Sequence, residues 1–272
     1  MTPPRVLIIA GSDSGGGAGI QADIKTVTML GGFAMTAITA ITAQNTLGVE
    51  AVMPVPADMV VKQIDAVLDD LDADAVKIGM IGGAETAAAL ADRLGDLDIP
   101  IVFDPVMAAT TGAALADAAT IAAFERLMGI ATLVTPNLPE LDTLAGRMLR
   151  TEDEIVDAAL ALHRRHGCAV LAKGGHQRGP TVTDLLVVGG EVFRHDSPRV
   201  ATKDTHGTGC TLASAVATGL AAGRSLEQAV AQGILYTQAA IQAAPGFGGG
   251  HGPIGHTLGS AAWPDIHRKV RR

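Results

Sequence analysis

The stretch Val6–Gly19, VLIIAGSDSGGGAG, sets an aliphatic run against a glycine-rich turn, and the segment Ile20–Leu30 follows it directly. The run reads as a buried strand, the glycines as a turn, and the apolar spacing beyond as a helix. Working outward, the same unit recurs. Ala34–Ala43, apolar and threonine-rich, reads as a strand and Asp58–Leu71 as a helix. Ala75–Met80, Ile101–Asp104 and Thr132–Pro136 read as strands, separated by helices over Ala84–Leu94 and Ala118–Met128. Glu152–His163 continues as a helix and Cys168–Lys173 as a strand. The rhythm then changes, because Thr181–Val188 and Glu191–His195 flank Gly189-Gly190, a hairpin signal. Thr208–Ala222 and Leu226–Ala243 read as closing helices, before the glycine-rich Pro245–Gly255. Such alternation predicts an α/β fold: a central, mostly parallel sheet with helices on both faces and a late antiparallel hairpin at one edge. With no linker or internal repeat, a single domain is expected over residues 1–260, and a basic, solvated tail over 261–272.

Composition narrows the function. Of 272 residues, 48% are hydrophobic but only 3% aromatic, so aliphatic side chains must fill a large core. That suits helices packed on a parallel sheet. A net charge of −8 argues against a nucleic-acid partner. Cys168 and Cys210 form no C-x-x-C pair, which argues against a metal knuckle or a secreted disulfide framework. Met1–Arg5 runs straight into the first strand, and no apolar run reaches the roughly 18 residues of a membrane span. A cytoplasmic protein is the expectation.

In open α/β sheets the ligand sits outside the carboxyl ends of the strands. The turns there should hold the chemistry, and they are the most polar and glycine-rich parts of the chain. Asp204-Thr-His-Gly-Thr-Gly-Cys210 feeds the small-residue helix that begins at Thr208. Free backbone N–H groups and the positive end of a helix dipole make an anion site. Gly207 and Gly209 allow close approach; a helix merely capped by Thr208 is the plainer reading. Cys210 sits where a helix start can lower a thiol pKa and favour a base or nucleophile, yet it also fits as a packing residue. The Gly11–Gly19 loop meets neither the phosphate-binding G-x-x-x-x-G-K-[ST] pattern nor the dinucleotide G-x-G-x-x-G pattern, which disfavours a nicotinamide oxidoreductase. Asp23, one turn beyond, is either a pocket residue or a dipole-compensating acid. Asp104 and Glu140 follow strands, as Mg²⁺ ligands or as ordinary turn and first-turn residues. Lys173 is either a phosphate partner or a solvated strand end. Gln44 offers a donor and an acceptor, which suits the edge of an aminopyrimidine.

Eight motifs in order carry a resemblance. They are Ala10–Asp23 (AGSDSGGGAGIQAD), Thr42–Thr46 (TAQNT), Lys77–Met80 (KIGM), Asp104–Met107 (DPVM), Thr135–Glu140 (TPNLPE), Lys173–His176 (KGGH), Thr205–Thr211 (THGTGCT) and His251–Pro253 (HGP) with His256. From Arg5 to His256 the chain resembles the hydroxymethylpyrimidine/phosphomethylpyrimidine kinases of thiamine biosynthesis, in the ribokinase-like superfamily. Gly15 stands where that family usually has serine. Cys210 stands where sugar kinases of the superfamily carry an aspartate base. The resemblance implies a ribokinase-like three-layer αβα sandwich, a homodimer, and use of ATP and Mg²⁺. It implies phosphorylation of 4-amino-5-hydroxymethyl-2-methylpyrimidine and then of its monophosphate. It places Ala18, Asp23, Gln44, Met80 and Val106 around the pyrimidine, and Lys173, Asp204 and Thr205 with ATP and phosphate. Asp104 and Glu140 would serve the metal. Gly207, Thr208 and Gly209 would form the anion hole, with Cys210 acting on the acceptor. A pyridoxal kinase of the same superfamily and a non-catalytic pyrimidine-binding regulator are the rival expectations.

Overall fold

The computed structural model describes residues 2–257, so the expected basic tail at 261–272 lies outside the described residues. Among the described residues nine strands form one sheet: β1 (Arg5–Asp13), β2 (Phe33–Gln44), β3 (Val49–Pro54), β4 (Ala75–Ile78), β5 (Ile101–Phe103), β6 (Leu133–Val134), β7 (Ala169–Ala172), β8 (Thr181–Val188) and β9 (Glu191–Pro198). The helices are α1 (Gly19–Met29), α2 (Ala57–Leu68), α3 (Ala84–Leu94), α4 (Ala118–Met128), α5 (Leu138–Ala145), α6 (Glu152–His166), α7 (Thr208–Ala221) and α8 (Leu226–Gln242). The strand order is β3-β2-β1-β4-β5-β6-β7-β8-β9. β2, β1, β4, β5, β6 and β7 run parallel, while β3 and the β8–β9 hairpin are antiparallel to their neighbours.

The strands alternate their side chains between two cores. Val6, Ile8 and Ala10 face the layer of α1, α7 and α8, joined by Val102, Leu133, Leu171, Leu212 and Val216. Leu7 and Ile9 face the other core, with Val60 and Ile64 of α2, Leu90 of α3, Phe124 of α4 and Ile155 of α6. Phe103 and Phe124 meet edge-to-face there, with ring centroids 5.2 Å apart. This is the expected three-layer ribokinase-like sandwich, with the hairpin at one edge.

Two elements depart from the expectation. β3 was not anticipated: five of its six residues are exposed and it ends on Pro54, so it lacks the apolar alternation of a buried strand. α5 was not anticipated as an element, although Glu140 was one candidate for a first-turn helix residue. Asn137 and Glu140 nevertheless form a capping box across its start, and a proline in the first turn costs no hydrogen bond. Among the described residues no helix is long and apolar enough to cross a membrane.

Candidate active site

The carboxyl ends of the parallel strands open into one cavity of about 800 Å³. Its wall brings together Ala18, Gln44, Met80, Asp104, Val106, Glu140, Lys173, Thr205, Gly207, Thr208, Gly209 and Cys210. Residues nearly two hundred positions apart converge because each terminates or follows a strand of one sheet. Two expected residues stand outside the wall. Asp204 lies behind it, where Oδ1 accepts the Gly252 N–H at 3.2 Å. Asp23 is fully buried and is discussed below.

The anion site forms at the start of α7. Gly207 caps it with φ of 86°, in the left-handed region, and a Cβ there would overlap the carbonyl oxygen of Gly17. The glycine therefore lets the 204–210 turn close against the 11–19 loop. The first turn of α7 points its free amides and positive dipole end into the cavity. Across from it, Lys173 Nζ donates to Asp104 Oδ1 at 2.7 Å, and Thr135 Oγ1 donates to the same oxygen at 2.9 Å. A Cβ on Gly209 would lie 3.2 Å from Lys173 Nζ and 3.4 Å from Asp104 Oδ2. The helix start thus faces the lysine–aspartate pair across a gap kept open by one missing methyl group. Glu140 completes this corner. Burial pushes its carboxyl up to about 7, helped by Asp104 and opposed by the Lys173 ammonium. Burial would lower the Lys173 ammonium, but the charges of Asp104 and Glu140 outweigh it and hold it raised.

Beneath the anion site lies a charged pair with no exposure. Lys77 Nζ donates to Asp23 Oδ2 at 2.7 Å, and Ser214 Oγ donates to Asp23 Oδ1 at 2.7 Å. Lys77 sits in β4 between Val76 and Ile78, so pleating turns it onto the α1 and α7 face. Ser214 is one helical turn beyond Cys210. A lysine inside a buried four-residue strand was the signal that could have singled out Lys77, which the sequence reading left unassigned. Cys210 lines the cavity at the start of α7. Burial pushes its thiol up to about 11, which outweighs the pull of the Lys77 ammonium toward thiolate.

At the other end of the cavity, Asp13 and His206 are a pair that the sequence reading also left unassigned. Asp13 accepts N–H groups from Gly15 at 2.8 Å, Gly17 at 3.0 Å and Ala18 at 2.8 Å. Its Oδ2 lies 2.9 Å from His206 Nε2. Burial alone would raise the Asp13 carboxyl, but these hydrogen bonds hold it below the usual carboxylate range. Gln44 ends β2 beside His206, with both of its backbone groups bonded to Ser14 Oγ. The glycine-rich segment after α8 straps over this end: His251 N–H donates to Thr46 O at 2.9 Å and His206 N–H to Gly252 O at 3.1 Å.

A donor-lined cavity with an anion site, two carboxylates and a lysine suits transfer of a phosphoryl group. Comparison with known proteins decides the family. The family model described as phosphomethylpyrimidine kinase matches residues 13–255. The chain belongs to the phosphomethylpyrimidine kinase family. It is 49% identical over 254 residues to the hydroxymethylpyrimidine/phosphomethylpyrimidine kinase of Rhizobium meliloti, covering 92% of this chain and 96% of that one. It is 48% identical over 255 residues to the thiamine biosynthesis bifunctional protein ThiED of Geobacter sulfurreducens. That match covers 93% of this chain, which spans about half (52%) of that longer protein. Among solved structures, pyridoxal kinase from Staphylococcus aureus in complex with ADP superposes with a TM-score of 0.87 at 31% identity, covering 94% of each chain. Phosphomethylpyrimidine kinases and pyridoxal kinases thus share this fold, and the higher identity lies with the former.

Proposed function

We propose that this chain transfers the γ-phosphoryl group of ATP to the hydroxymethyl group of 4-amino-5-hydroxymethyl-2-methylpyrimidine, and then a second phosphoryl group to the resulting monophosphate. The observation that carries the reading is the placement of the α7 anion site against Lys173 and Asp104, with the Gln44 amide at the far end of the same cavity. Family membership and the 48–49% identity to relatives named for these activities support it.

The residues present fit a Mg²⁺ ion. Asp104 and Glu140 supply one or two carboxylates, and the remaining ligands would come from water and phosphate, as this ion prefers. Glu140, raised by burial beside a second carboxylate, is a group whose charge a cation would restore. Asp104 and Glu140 would hold the ion, and when bound it would neutralise phosphate charge. The protein's own work is positioning and charge stabilisation. Lys173 neutralises the transferred group, and the amides of Gly207, Gly209 and Cys210 hold its equatorial oxygens. Ala18, Met80 and Val106 pack on the ring, and Gln44 bonds its polar edge. Asp23 serves indirectly, by holding Lys77. Cys210 removes the proton of the hydroxymethyl acceptor. To do so it must first lose its own proton, a cost near 5 kcal/mol at neutral pH for a thiol near 11. The loose transition state of phosphoryl transfer lets that proton leave late. The monophosphate acceptor is already mostly dianionic and has no need of the base.

The same reading has the protein act as a homodimer in the cytoplasm, which light scattering and fractionation of its host would test. A pyridoxal kinase activity is the second reading, favoured by the 0.87 TM-score to such an enzyme. Coupled measurement of ADP release with hydroxymethylpyrimidine and with pyridoxal, each with Mg²⁺ and ATP, separates the two. The pyrimidine should give the larger kcat/KM; a larger value for pyridoxal would overturn the assignment.

A further inference from the structure

The Gln44 amide is held at both ends by groups that the phosphoryl chemistry does not use. On one side, Thr42 Oγ1 lies 2.9 Å from Ser12 O and 3.2 Å from Gln44 Oε1. A hydroxyl has one proton, and the closer carbonyl takes it, so Thr42 turns lone pairs toward Gln44. On the other side, His206 Nε2 lies 2.9 Å from the Asp13 carboxylate and 3.3 Å from Gln44 Nε2. Nε2 therefore carries a proton and offers no lone pair. The Thr110 hydroxyl, 3.3 Å from His206 Nδ1, can donate there and supports the same tautomer. The imidazole packs against Gly17, where a Cβ would lie 2.5 Å from its Cδ2, so the glycine leaves room for the ring beside Asp13.

Both neighbours ask for one orientation of the amide: N–H toward Thr42, carbonyl oxygen toward His206. The hydrogen-bond network decides which end of a glutamine amide is nitrogen. Once it is so fixed, one N–H and one lone pair remain side by side for a ligand. A fixed amide pairs bidentately with a ring nitrogen beside an exocyclic amino group, as glutamine does with adenine. A ring without that amino group leaves half of the pair unmade. With Thr42 or His206 removed, one of the two constraints goes, the amide samples the other orientation more often, and the preference weakens.

We propose that Thr42 and the Asp13-held His206 are positioning residues that fix the Gln44 amide and make the site selective for a ring bearing an amino group next to a ring nitrogen. This inference rests on the pyrimidine reading above. The test is calorimetric binding of hydroxymethylpyrimidine and of its analogue lacking the 4-amino group, to the wild type and to Thr42→Val, Thr42→Ser and His206→Asn. One unmade hydrogen bond costs about 1–3 kcal/mol, so the wild type should favour the amino compound about 5- to 150-fold. Thr42→Val and His206→Asn should each lower the ratio of Kd values by about 2- to 10-fold, the share of one hydrogen bond, and Thr42→Ser should restore it. In turnover, KM for the pyrimidine should rise in Thr42→Val with kcat little changed, because the amide is remote from the transferred phosphoryl group; a merely structural defect would depress both. His206→Asn leaves β2 untouched and so stands as a separate arm if Thr42→Val fails to fold. An unchanged Kd ratio in the folded variants overturns the inference alone. A wild type that binds neither pyrimidine overturns this inference and the proposed function together.

Discussion

Gly209→Ala separates stability from catalysis at the proposed anion site. Gly209 is the second residue of α7, and its φ is not in the left-handed region. Alanine fits such a helical position, and the lower entropy of the unfolded chain stabilises the variant by about 0.5–1 kcal/mol. Against this, the new Cβ would sit 3.2 Å from Lys173 Nζ and 3.4 Å from Asp104 Oδ2, and the flexible lysine end can yield by a few tenths of an ångström. The melting temperature should therefore stay within about 4 °C of the wild type, given roughly 2–4 °C per kcal/mol at this size. Activity should not survive as well. The methyl group occupies the gap between the helix start and the Lys173–Asp104 pair, where the transferred phosphoryl group must pass. A loss comparable to removal of one anion-hole donor, about 10²- to 10³-fold in kcat/KM, is expected. Gly207→Ala provides the contrast. It demands a left-handed conformation of alanine, costing about 1–2 kcal/mol, and it collides with the backbone of Gly17. Stability and activity should fall together there. Calorimetric melting and steady-state kinetics on both variants check this. A Gly209→Ala enzyme with kcat/KM within about threefold of the wild type would refute the placement of the phosphoryl group at α7.

Other expectations follow from the buried groups. Cys210→Ala should depress transfer to the hydroxymethyl acceptor far more than transfer to the monophosphate, and the wild-type rate of the first transfer should keep rising with pH toward the thiol value of about 11. Equal losses for the two acceptors would remove Cys210 from the role of base. Lys77→Met leaves the Asp23 charge buried alone and should cost about 3–5 kcal/mol, whereas Lys77→Met with Asp23→Asn should recover much of it. Additive losses in that double-mutant cycle would mean the pair is not coupled. His256 is buried against Thr211 Oγ1 at 2.9 Å, and burial pushes its imidazole from 6.5 down to about 4. The unfolded chain takes up this proton first, so stability present above pH 6.5 is lost as the pH falls toward 4, by about 3 kcal/mol in all. His256→Asn should shrink the drop in melting temperature between pH 7.5 and pH 5 by about 4–8 °C; an unchanged drop would show that His256 does not carry it.

The parallel core of the fold was legible because each buried strand is an uninterrupted aliphatic run and each crossover helix keeps its spacing, as Val6–Ala10 and Ala84–Leu94 show. β3 was not legible, because an exposed edge strand needs no apolar pattern. Most of the site was legible for a different reason. Lys173, Asp104 and the glycines of the 204–210 turn follow strands, and the carboxyl ends of strands meet. Gly207 is demanded by close approach to the backbone of Gly17, and Gly209 keeps a gap before the Lys173 and Asp104 side chains; both leave a mark in sequence. The Asp23–Lys77–Ser214 and Asp13–His206–Gln44 networks left no such mark. Their members are distant in the chain, and only the pleat of β4 and the crossing of α1 with α7 reveal that Asp23 faces a lysine and not the ligand. Cys210 shows the same limit: the sequence left it open as a base or a packing residue, and the burial that pushes its thiol up is a property of the folded chain.

The most direct test of the account follows the pyrimidine itself by ³¹P NMR in the presence of ATP and Mg²⁺. A phosphate monoester should form first, a pyrophosphate ester should then replace it, and two ADP should be released for each pyrimidine consumed. Absence of both esters while the protein remains folded would contradict it.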